Sequence, residues 1–307
     1  MNDVRKEKSH LIFQDGLHLL QTGKFEEADN LFLQAHQLNP DNLDAINLLG
    51  IRSYQKKDFK QALTLLNRSN YLRPNSAETL SNLGLVYDAM AQFDNALYCF
   101  NTALKIKSDT PEIFNNLGNT LKNLNRSEEA KSAYACAITL RPNYPEALSN
   151  QGTILLAEGS VEQAIFLFQK AISANSNFAP GFNNLGNAFT QLEQYENAFE
   201  CFEKALQIQP NYIEACLNFG NALKKSKQYS AAINCYQHAL KIDLNNASIL
   251  FLLGETYYEI GQSALAKNYY GKCLDITPSN LVALYALTIS QIPKVYRNQE
   301  EIDTSRE

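Results

Sequence analysis

Glycine recurs every 34 residues along this chain, at Gly16, Gly50, Gly84, Gly118, Gly152, Gly186, Gly220 and Gly254, with no insertion between copies. A fixed period of that length is the mark of a repeat architecture, in which one supersecondary unit is copied and stacked on itself. Eight units follow, at residues 9–42, 43–76, 77–110, 111–144, 145–178, 179–212, 213–246 and 247–280. Counted from the first residue of each unit, position eight is always Gly and position twenty is always Ala, from Ala28 to Ala266. Position twenty-seven is small throughout (Ala35, Ser69, Ala103, Ala137, Ala171, Ala205, Ala239, Cys273). Position twenty-four is large: Phe32, Leu66, Phe100, Tyr134, Phe168, Phe202, Tyr236 and Tyr270.

Small and apolar columns lie three or four apart, at positions four, seven, eight and eleven, then twenty, twenty-four, twenty-seven and twenty-eight; this spacing is helical and never alternates. Each unit therefore reads as two helices, A and B. A break falls at positions fifteen and sixteen, as in Gly23-Lys24, Gly159-Ser160 and Gly261-Gln262, and a second where Pro40, Pro74, Pro142, Pro210 and Pro278 close a unit. Connections this short force neighbouring helices antiparallel. The small columns then mark where helix A crosses helix B at close range, with the large residues of positions four and twenty-four filling the flanks. No unit can bury its apolar face alone, so stability must come from stacking. After the last unit, Leu281, Leu284 and Leu287 restart the helix A pattern until Pro293 stops it. Residues 281–292 are read as a capping helix, 293–307 as a polar tail and 1–8 as a lead.

The whole pattern, seen in PEIFNNLGNTLKNLNRSEEAKSAYACAITLRPNY of residues 111–144, resembles the tetratricopeptide repeat family over residues 9–280. The resemblance implies an all-α, right-handed superhelix in which A helices line a concave groove and B helices form the convex back. Departures are local: Asp15 and Gln151 replace the usual Leu at position seven, and Ser127, Val161 and Ser263 replace an aromatic at position seventeen.

Composition narrows the function. Lys and Arg number 27 against 32 Asp and Glu, a formal net charge of −5 with no basic block, which argues against a nucleic-acid partner. No apolar run reaches the ~20 residues of a membrane span, and Met1-Asn-Asp-Val-Arg-Lys-Glu-Lys has no signal core, so no membrane partner is expected and a cytoplasmic location is. Six scattered cysteines with no C-x-x-C pair read as buried, reduced thiols. The four His form no metal or nucleophile pattern, and no P-loop or dinucleotide turn occurs, so no enzyme activity, cofactor or metal is expected of this chain.

What remains is a stripe of amides. Position six is Asn in five successive units, at Asn82, Asn116, Asn150, Asn184 and Asn218; position nine adds Asn119, Asn187 and Asn221, and position five adds Asn47, Asn115 and Asn183. These columns share one helical face, which the family geometry turns into the groove. An Asn amide offers one acceptor and a two-proton donor, enough to pair with both the N–H and the C=O of a peptide bond. With A helices ~9–10 Å apart and an extended chain advancing ~3.3–3.6 Å per residue, each Asn would meet roughly every third peptide unit. The expected partner is an extended polypeptide recognised through its backbone. The alternative is an idle solvated surface copied by duplication, in a chain with 33 Asn. Leu48, Ile51, Phe251 and Leu252 interrupt the stripe at its ends, as end packing or a self-association patch.

The motif N-N-L-G-N at 115–119 and 183–187, with the position-six stripe, resembles the repeats that precede the catalytic region of O-linked N-acetylglucosamine transferases; Ile292-Pro293-Lys-Val-Tyr296 is similar to a joining segment in bacterial SPINDLY-type relatives. The resemblance implies that the matching asparagines contact the backbone of a protein substrate, with the transferase chemistry outside this chain. Two other readings share the fold, a co-chaperone clamp for acidic C-termini and a free-standing scaffold. The clamp needs Lys or Arg at positions two and five of the A helices, and none occurs there.

Overall fold

The computed structural model describes residues 2–290, which form seventeen α-helices and, among the described residues, no strand. The A helices are α1 (Asn2–Gln21), α3 (Leu43–Gln55), α5 (Ala77–Ala89), α7 (Pro111–Asn123), α9 (Pro145–Ala157), α11 (Ala179–Gln191), α13 (Ile213–Lys225) and α15 (Ala247–Glu259). The B helices are α2 (Phe25–Leu38), α4 (Phe59–Leu72), α6 (Phe93–Ile106), α8 (Ser127–Leu140), α10 (Val161–Ala174), α12 (Tyr195–Ile208), α14 (Tyr229–Ile242) and α16 (Ser263–Ile276). The last helix, α17 (Leu281–Ser290), has no B partner among the described residues. The fold is all-α and of the helical-repeat solenoid class. The chain divides into two compact units, Met1–Gln151 and Gly152–Glu307, each a run of such helix pairs.

The A-to-B turn is the same in every repeat. Its position-fifteen residue is left-handed in all eight, at Gly23, Lys57, Ala91, Asn125, Gly159, Glu193, Lys227 and Gly261. The next N–H then reaches back to the carbonyl of position eleven, as in Asp58 to Ser53, Gln92 to Tyr87 and Gln228 to Leu223. That is a Schellman ending, which satisfies carbonyls the helix terminus would leave unpaired. Five of the eight residues there carry a side chain, at a cost of roughly 1–2 kcal/mol each against glycine's freedom. Side-chain N-caps from Asn42, Asp58, Ser76 and Asn246 start α3, α4, α5 and α15.

Position eight is Gly because the position-twenty-four side chain of the same repeat lies on it. A Cβ on Gly118 would stand 2.5 Å from Tyr134 Cε1, and one on Gly50 2.7 Å from Leu66 Cγ. The large residue therefore covers the glycine itself rather than flanking the crossing, while the alanines of position twenty are fully buried beside it. Phe32, Phe100, Tyr134, Phe168, Phe202 and Tyr236 are fully buried in this way and anchor the core of each pair.

The lead is helical from Asn2 as part of α1. The described part of the expected capping helix seats Ala283 against Leu250 and Cys273, but leaves Leu281, Val282, Leu284 and Tyr285 exposed. Residues 291–292 of that expected helix and the tail 293–307 lie outside the described residues. The expectation of buried thiols holds for Cys99, Cys201, Cys216 and Cys273; Cys235 is half-buried, and Cys136 is exposed because position twenty-six of helix B faces outward. Among the described residues, no helix is long and apolar enough to cross a membrane.

Candidate functional site

The A helices of each unit present positions six, nine, twelve and thirteen to one open face. In the second unit this face forms a trough of about 720 Å³ across three successive A helices. Its walls are Leu156 of α9, Asn187, Thr190 and Gln191 of α11, and Asn218, Asn221, Lys224 and Lys225 of α13, with Glu193 and Tyr195 at the turn. Three of the eight predicted site residues, Asn187, Asn218 and Asn221, thus converge on one cavity.

All eight predicted asparagines are half-buried, and several are committed inside the protein. Asn218 Nδ2 donates to Asn183 Oδ1 of the preceding repeat at 3.0 Å. Asn150 Nδ2 does the same to Asn115 Oδ1 at 3.0 Å and to Asn119 Oδ1 at 3.1 Å. Asn115 and Asn183, at position five, are buried. A position-six amide thus clasps the position-five amide one repeat back. Asn184 accepts from Asn183 Nδ2 at 3.4 Å.

Position nine has its own tether. Tyr134 Oη donates to Asn119 Oδ1, and Tyr236 Oη to Asn221 Oδ1, both at 2.7 Å. Burial pushes both phenols well above their ordinary range, so each hydroxyl stays a donor. With its oxygen held from below, each of these asparagines keeps its N–H₂ for the open face. The signal was present in the sequence: both repeats with Tyr at position twenty-four and Asn at position nine make the bond, whereas the Phe repeats have no hydroxyl to donate. Asn116 and Asn187 have no side-chain hydrogen bond among the described residues.

The first unit carries the same columns with different chemistry. Between α3 and α5 the face narrows to a notch of about 160 Å³ lined by Ile51, Tyr54, Gln55, Leu66, Asn82, Leu85 and Val86. Here the clasp fails. Asn47 Oδ1, the counterpart of the clasped oxygens, accepts from Thr79 Oγ1 at 3.2 Å, and Asn82 Nδ2 is buried with no partner among the described residues. Thr79 is the one hydroxyl residue at position three in the eight repeats.

Charged groups frame the two regions in opposite senses. Asp29 takes Arg52 Nε at 2.6 Å and Lys56 Nζ at 2.8 Å, one carboxylate between two cations. Burial alone would raise the Asp29 carboxyl, but those two hydrogen bonds and the two charges hold it below its ordinary value. Lys224 instead bridges Glu255 at 3.2 Å and Glu259 at 3.1 Å, one cation between two carboxylates. Burial works against its charge, yet the Glu259 hydrogen bond and both glutamates raise it above the usual value. Lys224 is thus engaged by the next repeat. Of the residues that interrupt the stripe, Phe251 packs on the Tyr270 ring at 5.7 Å and Leu252 against the core of its own unit, so both serve end packing.

Family profiles described as TPR repeat match residues 92–125 and 220–261, and others described as tetratricopeptide repeat match 19–83, 115–180, 179–212 and 247–280. No curated protein matches the sequence. Among solved structures, a chain of the APC/C hetero-tetramer Cut9-Hcn1 is similar at 19% identity and a TM-score of 0.71, covering 87% of this chain and 53% of that one. This chain therefore spans about half the length of that relative. A tetratricopeptide repeat protein from Parabacteroides merdae is similar at 15% identity and a TM-score of 0.63, covering 81% of this chain and 99% of its own. Pseudomonas aeruginosa pilF is similar at 22% identity and a TM-score of 0.52, covering 80% and 97%. At these identities the likeness is one of fold.

Proposed function

The chain belongs to the tetratricopeptide repeat family, whose members are protein–protein interaction scaffolds, and we propose that its A-helix face binds an extended polypeptide segment through the segment's backbone. The observation that carries this reading is the trough of the second unit. There Asn187 has an uncommitted amide, Asn221 is tethered by its oxygen with its N–H₂ left over, and Asn218 is held by its nitrogen with its oxygen left over. The trough thus offers both donors and acceptors, as a peptide backbone requires. Each such bond contributes only about 0.5–1.5 kcal/mol net, so recognition is modest and tolerant of sequence. The N-N-L-G-N motifs at 115–119 and 183–187 support a narrower version, in which this chain is the substrate-recruiting region of an O-linked N-acetylglucosamine transferase-like protein.

The test uses fluorescein-labelled, uncharged 12-residue peptides and anisotropy. Asn187→Ala removes no internal bond among the described residues, so melting should be unchanged while capture weakens by roughly 2- to 12-fold, one hydrogen bond. Peptides N-methylated at every third residue should lose binding to the unaltered protein. Capture that is indifferent to both changes sinks backbone recognition.

A further inference from the structure

The geometry points to a side-chain anchor in the first unit: the notch between α3 and α5 seats one branched aliphatic or phenyl side chain of an extended segment lying along that unit, and Asn82 Nδ2 donates to that residue's carbonyl. This rests on the peptide-binding reading above and adds to it a preference in guest sequence.

Three observations carry the inference. The notch repeats the register of the trough, positions nine, twelve and thirteen of one A helix facing positions six and nine of the next, but Ile51 and Leu85 stand where the trough has Asn187 and Asn221. A guest running along these columns therefore meets aliphatic walls here instead of amides. The notch has a volume of about 160 Å³, room for a benzene-sized group. No charged residue lines it, which disfavours a Lys, Arg, Asp or Glu side chain.

The third observation is the unpaired donor. Asn82 Nδ2 is buried without an acceptor, whereas the equivalent amides of Asn150 and Asn218 are clasped. A buried donor left unpaired costs about 1–3 kcal/mol. The Asn χ2 torsion is broad, which leaves the amide free to turn its N–H₂ toward the carbonyl of a seated residue. Once that bond forms, the cost is recovered on binding, and only for a guest whose side chain fills the notch.

The experiment measures acetyl-capped 12-residue peptides of Ser, Thr and Gly that differ at one central residue, Leu, Phe, Ala or Lys, against the full chain. Leu and Phe should bind roughly 10-fold or more tightly than Ala, from the apolar area buried, and Lys no better than Ala. Leu85→Phe, which fills the notch, should erase the preference, so that the Leu, Phe and Ala peptides bind alike. Asn82→Ala should weaken the Leu peptide by about 2- to 12-fold, one hydrogen bond, without lowering the melting temperature. Methyl NMR shifts of Ile51, Leu85 and Val86 on adding the Leu peptide, absent with the Ala peptide, give a readout on unaltered protein should Leu85→Phe fold poorly. Peptides that bind without preference overturn the anchor and leave backbone recognition standing. A panel that does not bind at all overturns both.

Discussion

Repeats two and three and repeats six and seven are copies of one 34-residue plan, yet their open faces differ in kind. In the first pair, Ile51, Leu85 and Leu66 make an apolar notch with one orphaned amide; in the second, Asn187, Asn218 and Asn221 make a wide polar trough whose amides are half-tethered from below. The helices, turns and glycine crossings are shared. What differs is position nine, aliphatic at Ile51 and Leu85 but an amide at Asn187 and Asn221, together with the position-twenty-four hydroxyl of Tyr236. The frame is thus set by columns that cannot vary without clashing, and the chemistry of the face by columns whose partners lie one repeat or half a repeat away.

The glycine crossings should break this comparison most strongly. Gly220→Ala drives a Cβ into the Tyr236 ring, which cannot shift without losing its bond to Asn221; Gly50→Ala meets Leu66, whose branched side chain can rotate. We expect losses of about 3 kcal/mol and about 1 kcal/mol, read from urea unfolding of each variant. Equal losses would mean that the tyrosine tether does not stiffen the trough. Next, Tyr236→Phe should cost about 1–2 kcal/mol, because Asn221 Oδ1 is left without its donor, and hydrogen exchange should rise in α13 and α14 specifically. A smaller contrast separates the two position-six amides. Asn218→Ala breaks a clasp and should cost about 1 kcal/mol, whereas Asn82→Ala breaks nothing and should be neutral or stabilising.

The mirrored ion clusters give the smallest and most selective effect. Asp29 sits below its ordinary carboxyl value, so its contribution is complete above the unfolded value of about 3.9 and is lost as pH falls through the folded value. Lys224 sits above its ordinary value, so its contribution is complete below about 10.4 and is lost as pH rises through the folded value. Thermal melts should therefore show an acid limb that Asp29→Asn removes and an alkaline limb that Lys224→Met removes, each of roughly 1 kcal/mol or less. Either limb surviving its substitution assigns the pH dependence elsewhere.

Much of this was legible along the chain. The period fixed eight helix pairs, and the described A and B helices fall on positions one to thirteen and seventeen to thirty in the inner repeats, as in Leu43–Gln55 and Phe59–Leu72. The left-handed turn residue was visible only where it is Gly, at Gly23, Gly159 and Gly261; Lys57, Ala91 and Glu193 adopt the same conformation because the Schellman bonds and the packing of both helices impose it. The column of asparagines was equally plain, but its members were indistinguishable as letters.

Periodicity is a local quantity, and helix, turn and crossing follow from it because each is decided within a few residues or by steric contact inside one repeat. Whether an amide is clasped, tethered or orphaned depends on which oxygen another side chain reaches first, some fifteen to thirty-five residues away. That Asn47 accepts from Thr79 while Asn82 stays unpaired is such an outcome, and only the packed helices could settle it.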